Sequence, residues 1–247
     1  MTKAHLLALA GATLALAGCN SAADNSSAPA NGATAATVAA PAGQDWTQVV
    51  TQTPEGGMLM GNPNAPVKLV EYLSLTCPHC AEFAEAGFPK LRDDYVTKGT
   101  VSLEIRNYVR DAVDMTATLV SRCGGPQTYF AMTEQALANQ ASIGQNLQAV
   151  PPAEAKRAEG LQPPQLFVAI APMAGLDQFA KQRGITEQKL NQCLTDSTTI
   201  NQLVEGVKKA NEEVQIPGTP AFLLNGKLLQ QAGTWEQLEP QLKAAGA

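Results

Sequence analysis

The sequence predicts an α/β domain whose sheet is interrupted by a long helical segment, and three observations lead to this prediction. Residues 67–76 are rich in β-forming side chains and run directly into Cys77-Pro78-His79-Cys80, which opens a helix-like pattern. After a second strand-like segment, residues 111–214 show no strand-like alternation. The chain then returns to two short apolar runs around Asn225-Gly226, a strong signal for a two-residue hairpin.

Composition and charge exclude several classes of protein. The chain has 247 residues, 45% of them hydrophobic, and a formal net charge of −5, which is ordinary soluble composition. No run of Lys and Arg offers a basic face, so we expect no nucleic-acid partner. The two histidines are His5 and His79. If the N-terminus is removed, the one remaining histidine lies between two cysteines, which argues against hydrolases with a distant catalytic histidine and against three-histidine zinc sites.

The N-terminus predicts export. Residues 1–18 have a basic start and an apolar run too short to span a membrane, as in a secretory signal. The sequence Leu16-Ala17-Gly18-Cys19 resembles the lipobox of bacterial lipoproteins. This resemblance implies lipid attachment at Cys19 and an anchor on the periplasmic side of a bacterial membrane. Ordinary cleavage after Ala17, in the A-x-A pattern, is the alternative.

A flexible tether is predicted to follow. Residues 20–43 are small and polar, with Val38 as the one larger aliphatic side chain, and cannot bury enough surface to order themselves. We therefore divide the chain into a signal at 1–18, a tether at 19–45 and a domain at 46–247.

The Cys77-Pro78-His79-Cys80 segment is the first candidate site. Phe83, Phe88, Leu91 and Tyr95 continue the helix-like pattern after it, which places Pro78 in the first helical turn, where its missing N–H costs nothing. Free backbone N–H groups and the helix dipole favour negative charge on Cys77, and a protonatable His79 adds to this. The alternatives for an isolated C-x-x-C are half of a structural zinc site and a purely structural disulfide.

Glu71 is the second candidate. On the predicted strand it falls on the same face as Val67, Leu69, Leu73 and Leu75. A helix that folds back over this strand would bring Cys80 above the Glu71 carboxyl, where burial raises the carboxyl pKa and suits it to proton transfer. The alternative is that Glu71 lies at a solvated edge.

The remaining elements can also be predicted. Residues 100–109 alternate as a second strand, and helices are expected near 112–122, 126–139, 165–175, 177–183, 187–195 and 198–214. A polar loop is expected at 144–165, where there are two Pro-Pro pairs. The last helix opens with a capping-box pattern at Thr234 and Gln237, but Pro240 predicts a kink or a late start near Glu239.

Residues 60–80, from Met60-Gly-Asn-Pro to Cys-Pro-His-Cys80, resemble the DsbA family of exported thiol:disulfide oxidoreductases. The resemblance covers roughly residues 58–245, with specific motifs at 61–80 and 217–226. It implies a thioredoxin-like fold with an inserted helical subdomain at about 111–214. It also places Glu71 at the buried-acid position of the family and makes Pro220, preceded by Thr219, a cis-proline that faces the cysteines and binds substrate.

The function that the resemblance implies is that of a dithiol oxidase. Cys77 would exchange with substrate thiols and Cys80 would be the buried resolving partner, without metal or cofactor. Expected partners are unfolded or partly folded exported proteins with free cysteines and a quinone-linked membrane oxidase for recycling; we expect a monomer. The alternatives are an isomerase or reductase of the same fold and a non-catalytic, copper-handling thiol module.

Two further cysteines remain. With Cys19 lipidated and Cys77 bonded to Cys80, an oxidising compartment would tend to pair Cys123 with Cys193 as a structural disulfide. Two free buried cysteines are the alternative.

Overall fold

The computed structural model describes residues 36–247. Cys19 and the predicted signal at 1–18 lie outside the described residues, so the predictions made for them stay predictions. Among the described helices, none is long and apolar enough to cross a membrane.

A six-stranded mixed sheet forms the centre of the domain. In chain order its strands are β1 Val50–Gln52, β2 Met58–Gly61, β3 Val67–Leu73, β4 Val101–Asn107, β5 Ala221–Leu224 and β6 Lys227–Leu228. Their spatial order is β1-β2-β4-β3-β5-β6. β3 and β4 pair in parallel, and every other neighbouring pair is antiparallel. β3 is therefore a central strand, which places its residues deep in the fold.

Eleven α-helices surround this sheet in the described chain. They are α1 Pro78–Ala86, α2 Phe88–Leu91, α3 Ala112–Arg122, α4 Pro126–Ala138, α5 Gln140–Gln148, α6 Pro152–Glu159, α7 Gln165–Met173, α8 Leu176–Gln182, α9 Glu187–Leu194, α10 Ser197–Lys209 and α11 Trp235–Ala244. Five-residue π-helical turns follow α2 and α10. α1 and α2 provide the crossover that two parallel strands require, and α3 to α10 lie between β4 and β5.

The prediction of a loop at 144–165 is wrong for most of that segment. α5 and α6 occupy much of this segment. Each helix contributes one buried residue, Ile143 from α5 and Ala158 from α6. The Pro-Pro pairs stand at helix starts: Pro152 is the first residue of α6, and Pro164 precedes α7. Proline is well suited to a first helical turn, so both pairs indicate boundaries between helices.

The late start expected for the last helix is also wrong. α11 begins at Trp235 and continues through Pro240. The capping box is present, with the Gln237 side chain accepting from the Thr234 N–H at 3.3 Å. Burial of Trp235, Leu238 and Leu242 offsets the one backbone hydrogen bond that Pro240 removes.

The chain contacts the domain earlier than the tether prediction allows. The Val38 N–H donates to the Lys98 carbonyl at 2.9 Å. The indole N–H of Trp46 donates to the Val38 carbonyl at 2.8 Å. The last part of the segment predicted as a tether, 19–45, therefore contacts the domain at Val38.

Candidate active site

Cys77 is the N-cap residue of α1, with extended backbone (φ −90°, ψ 120°) and Pro78 at the first helical position. The N–H groups of Cys80 and Ala81 donate to the Cys77 carbonyl at 3.1 and 3.2 Å. The strand–turn–helix sequence therefore places the Cys77 sulfur at the positive end of the helix dipole, as the residues predicted.

The surroundings of Cys77 favour its thiolate. A hydrogen bond from the Cys80 side chain is the main reason that the pKa of Cys77 falls to about 4. The Thr219 side chain and the backbone N–H groups of Cys80 and His79 act in the same direction, while burial opposes them. Cys77 is thus ionised at neutral pH in the dithiol form of the protein.

Cys80 titrates in the opposite direction. Its exposed fraction is 0%, against 4% for Cys77. The hydrogen bond to Cys77, burial and the charge of Glu71 all raise the pKa of Cys80. Neither cysteine is disulfide-bonded in this structure, and both are buried. The pair consists of a thiolate with a small exposed fraction, Cys77, and a fully enclosed thiol, Cys80.

His79 contributes less than the sequence suggested. Its side chain is exposed, and it lowers the pKa of Cys77 through its backbone N–H. Within the described residues, its ring makes no hydrogen bond to the Cys77 sulfur. The expected stabilisation by a neighbouring imidazolium is therefore replaced by a main-chain interaction, because the helix start turns the ring toward solvent.

Thr219 and Pro220 lie against the cysteine pair. The Thr219–Pro220 peptide bond is cis, and the Cys77 sulfur lies 3.1 Å from the Thr219 carbonyl oxygen. The segment that precedes β5 is thereby held beside the Cys77 sulfur, which is the position that the resemblance implied.

Glu71 is buried in the middle of β3. Ile105 of β4 and Phe222 of β5 are its partners in the neighbouring strands, and its exposed fraction is 2%. Its Oε1 atom has no hydrogen-bond partner, and burial raises its pKa to about 8. The alternative of a solvated edge is wrong, because Glu71 is enclosed by strands on both sides.

Two residues of the helical insertion, Asp114 and Gln140, also belong to the site but were not predicted. Asp114 accepts from the Ser74 hydroxyl at 2.7 Å and from the Leu75 N–H at 2.8 Å. The Gln140 side chain donates to the carbonyls of Leu75 and Cys77 at 2.8 and 3.0 Å. The two side chains thus hold the turn that leads into Cys77. Asp114 lies three residues after the helix cap Asp111, so the sequence pattern alone indicates no more than an ordinary acidic first turn.

Cys123 and Cys193 form a disulfide with an S–S distance of 2.03 Å. It joins the end of α3 to α9 and closes 70 residues of sequence. Since these two sulfurs are bonded to each other, they do not complete a zinc site with Cys77 and Cys80. Among the residues from 36 onward, no group of three or more His, Cys, Asp and Glu side chains is placed to hold a metal ion.

The fold and the site together define a class: a thioredoxin-like domain with helices inserted into its sheet and a reactive cysteine pair at the start of α1. A family model described as "Thioredoxin" matches residues 53–244. The chain belongs to this family.

Several known proteins are similar to the chain. A crystal structure of protein-disulfide isomerase from Novosphingobium aromaticivorans is 32% identical, with a TM-score of 0.71, over 75% of this chain and 95% of that one. Wolbachia pipientis alpha-DsbA1 is 20% identical, with a TM-score of 0.62, over 78% of this chain and 92% of that one. A putative protein-disulfide oxidoreductase of Rickettsia bellii is 24% identical over 72% of this chain and 61% of its own length.

The chain thus spans about three-fifths of the length of that curated relative. The prediction of a DsbA-like member of the thioredoxin fold with inserted helices is confirmed.

Proposed function

We propose that this protein is a dithiol oxidase that introduces disulfide bonds into other proteins. The observation that carries the proposal is the placement of the two cysteines, with Cys77 at the N-cap of α1 and Cys80 fully enclosed in the first turn of that helix. Cys77 is stabilised as a thiolate, so it is a good leaving group, while Cys80 holds its proton. The names of the similar proteins support the more general activity of a protein-disulfide oxidoreductase.

The reaction begins at Cys77, the more exposed sulfur of the Cys77–Cys80 disulfide. A substrate thiolate attacks the Cys77 sulfur, the Cys77–Cys80 bond breaks, and its electron pair leaves on Cys80. Glu71, whose carboxyl is protonated at neutral pH, supplies the proton that Cys80 takes up.

In the second step the substrate forms its own disulfide. Its second thiolate attacks the substrate sulfur of the mixed disulfide and expels Cys77 as a thiolate. The substrate has then lost two electrons and two protons. Both electrons reside on the protein dithiol. Cys80 holds the proton that it took from Glu71, one substrate proton restores the Glu71 carboxyl, and the other is in solvent. We assign the contact with the substrate chain to the carbonyl of Thr219 and the backbone beside Pro220, because this segment lies next to the Cys77 sulfur.

Regeneration requires a two-electron acceptor. We assign this role to a quinone-linked membrane oxidase, which the resemblance to the DsbA family implies, and we assign the substrate role to exported proteins with free cysteines. Periplasmic location and lipid attachment at Cys19 belong to the same proposal. Cys19→Ser should move the protein from the membrane fraction to the soluble one. A wild-type protein that is already soluble and begins at Gly18 would contradict the lipid anchor.

One test is the reduction potential of the Cys77–Cys80 pair in glutathione buffers. An oxidase should lie above about −180 mV, whereas a value near about −270 mV would indicate a reductase. Oxidised protein should also form the disulfide of a reduced two-cysteine peptide, and Cys77→Ser should abolish this reaction.

One solved relative is named a protein-disulfide isomerase, and isomerisation is therefore the second candidate function. The reduced protein should be incubated with a substrate that contains scrambled disulfides. Rapid recovery of native pairing, with slow oxidation of the two-cysteine peptide, would contradict the oxidase proposal.

A further inference from the structure

An open groove lies between α1 and the corner formed by α4 and α5. Its volume is about 870 Å³, which is enough for a few residues of an extended chain. Much of its lining is apolar and includes Pro78 and Ala81 of α1 and Leu137 and Ala138 of α4. The groove is therefore a surface that can hold aliphatic parts of a bound chain.

The groove begins beside the reactive cysteine. Pro78, which lines it, follows Cys77 directly in the chain. Gln140 also lines it, and its side-chain N–H₂ group donates to the Cys77 carbonyl at 3.0 Å. In the described part of the chain, the side-chain oxygen of Gln140 accepts no hydrogen bond, so it is available to an N–H group of a bound chain. A chain attached to the Cys77 sulfur can thus continue into the groove.

α1 presents one of its faces to the groove. Pro78, Ala81, Glu82 and Glu85 line the groove, and their i, i+3, i+4 and i+7 spacing places them on one side of the helix. At 1.5 Å per residue, Glu82 and Glu85 lie about 8 and about 12 Å from Cys77 along the helix axis. An extended chain advances about 3.3 Å per residue. The two carboxylates therefore stand opposite residues that are about two to four positions from a cysteine bound to Cys77.

The charged side chains that line the groove are all carboxylates: Glu82, Glu85 and Glu134. None of the three forms an ion pair with Lys or Arg in the part of the chain that the structure describes. Burial raises the pKa of Glu134, and Arg92 lowers it, but the Arg92 guanidinium already binds Asp93 at 2.7 Å. The groove thus combines an apolar lining with negative charge that has no cation bound to it.

This placement of charge is unfavourable for α1 itself. Glu82 and Glu85 are three residues apart, so their like charges repel each other along the helix. Glu85 also lies in the last turn of α1, where the helix dipole favours a cation. A cationic chain in the groove would reverse both effects, which is the charge complementarity expected of a binding surface.

We propose that the groove selects substrates by binding a basic segment, with Lys or Arg about two to four residues from the cysteine that reacts with Cys77. Glu82, Glu85 and Glu134 bind the cationic groups, and the apolar lining contacts the methylene stems of the same side chains. The proposal rests on the proposed function and adds a substrate class to it. The thiol exchange itself stays at Cys77, and no bond forms or breaks in the groove.

The test compares three reduced two-cysteine peptides that differ in two residues, which lie two and four positions from one cysteine. These residues are both Lys, both Gln or both Glu, and a second set carries them on the other side of that cysteine. The second-order rate constant for oxidation by the disulfide form of the protein is measured by acid quench. Each value is divided by the rate of the same peptide with 2-hydroxyethyl disulfide, a neutral reagent, because a nearby charge changes the thiol pKa.

In at least one set the Lys peptide should be oxidised about 10-fold faster than the Gln peptide, at the lower end of what electrostatic steering contributes. The Glu peptide should be the slowest. The preference should shrink when the salt concentration rises from about 20 mM to about 500 mM, because salt screens these charges. Equal normalised rates for all the peptides in both sets would overturn the proposal.

Matched variants separate the groove from the net negative charge of the protein. The groove variant is Glu82→Gln/Glu85→Gln/Glu134→Gln, and it should lose the preference for the Lys peptide. The control variant removes three exposed carboxylates from α6, α9 and α10: Glu159→Gln, Glu187→Gln and Glu205→Gln. It should keep the preference. An equal preference in the two variants would assign the effect to overall charge and overturn the role of the groove.

A binding measurement separates this proposal from the proposed function. The Lys peptide is labelled with fluorescein, both of its cysteines are replaced by Ser, and its binding is followed by fluorescence anisotropy. The groove variant should bind it at least about 5-fold more weakly than wild type does, as expected when exposed ion pairs are lost. If this difference is found but no peptide is oxidised, the groove stands and the oxidase proposal falls. If all peptides are oxidised equally and the two proteins bind alike, the oxidase stands and the groove proposal falls.

Discussion

Glu71 and Cys77 depart from their ordinary pKa values in opposite directions, and each does so because of where a single backbone element places it. Glu71 is enclosed between two neighbouring strands, and burial raises its pKa to about 8. Cys77 lies at a helix start, where hydrogen bonds lower its pKa to about 4. At neutral pH the carboxyl is therefore the neutral group and the thiol is the charged one. This inversion is the basis of the proposed chemistry.

The raised pKa of Glu71 makes a prediction about stability. The pKa of Glu71 is higher in the folded protein than in the unfolded chain. The free energy of unfolding therefore falls as pH rises from the unfolded pKa, 4.5, toward the folded value of about 8. Glu71→Gln removes this loss. The variant should therefore gain about 1–4 kcal/mol in free energy of unfolding at pH 8, and little at pH 4, since one pKa unit corresponds to about 1.4 kcal/mol.

Urea denaturation at the two pH values measures this difference. Glu82→Gln, at an exposed position of α1, is the control and should change stability little at either pH. A Glu71→Gln variant that is less stable than wild type at pH 8 would contradict the burial of an unpartnered carboxyl.

The turn that precedes α1 depends on the helical insertion. Asp114 of α3 and Gln140 of α5 together satisfy the backbone groups of Leu75, and Gln140 also binds the Cys77 carbonyl. The Asp114 carboxylate accepts three hydrogen bonds, the third from the Arg110 N–H at 3.0 Å. The insertion thus positions the cysteine pair.

Asp114→Asn should disturb this turn. The asparagine side chain has an N–H₂ group in place of one carboxylate oxygen. This donor would then face one of the protein donors from which the carboxylate now accepts a hydrogen bond. Burial raises the pKa of Asp114 to about 6, so the cost of burying its charge at pH 7 offsets part of the gain from its hydrogen bonds. The free energy of unfolding at pH 7 should therefore fall by about 1 kcal/mol, and the pKa of Cys77, followed by thiolate absorbance, should rise. Asp111→Asn is the matched control, because Asn caps a helix as well as Asp does. Equal effects of the two variants would show that Asp114 has no special role in the turn.

Elements with a strong local signal could be predicted from the sequence. The junction of β3 and α1 and the Asn225-Gly226 hairpin were predicted correctly; both hairpin residues have positive φ, 49° and 80°, as a type I′ turn requires. β1 and β2 were missed, because three and four residues are too few to establish a periodicity. Asp114 and Gln140 were missed because their contacts are made across long separations in sequence, which no local pattern reveals.

The molecule combines a labile cysteine pair with a second, permanent one. The bond between Cys123 and Cys193 ties α3 to α9, and α3 carries Asp114. The Cys123–Cys193 pairing could be proposed from the sequence, because these two cysteines remained after the other three had been assigned. The helices that the bond connects could be seen only in the structure.

A Cys123→Ala/Cys193→Ala double variant should be less stable. The disulfide closes 70 residues, for which the chain-entropy model gives about 4 kcal/mol. Guanidinium denaturation with Cys77 and Cys80 blocked measures the loss, and the blocked wild-type protein is the control. Unchanged stability would contradict a structural role for this bond.

The most direct test of the proposed oxidase is to compare the stability of its two redox forms. A thiol with a lowered folded pKa contributes stability above its unfolded pKa, and this contribution is lost as pH falls toward the folded value of about 4. The dithiol form alone has this thiolate. Paired chemical denaturation at pH 7 and pH 4 should show the reduced protein more stable than the Cys77–Cys80 disulfide form at pH 7, with a smaller difference at pH 4. A disulfide form that is the more stable one at pH 7 would contradict the account and indicate a reductase or a structural bond.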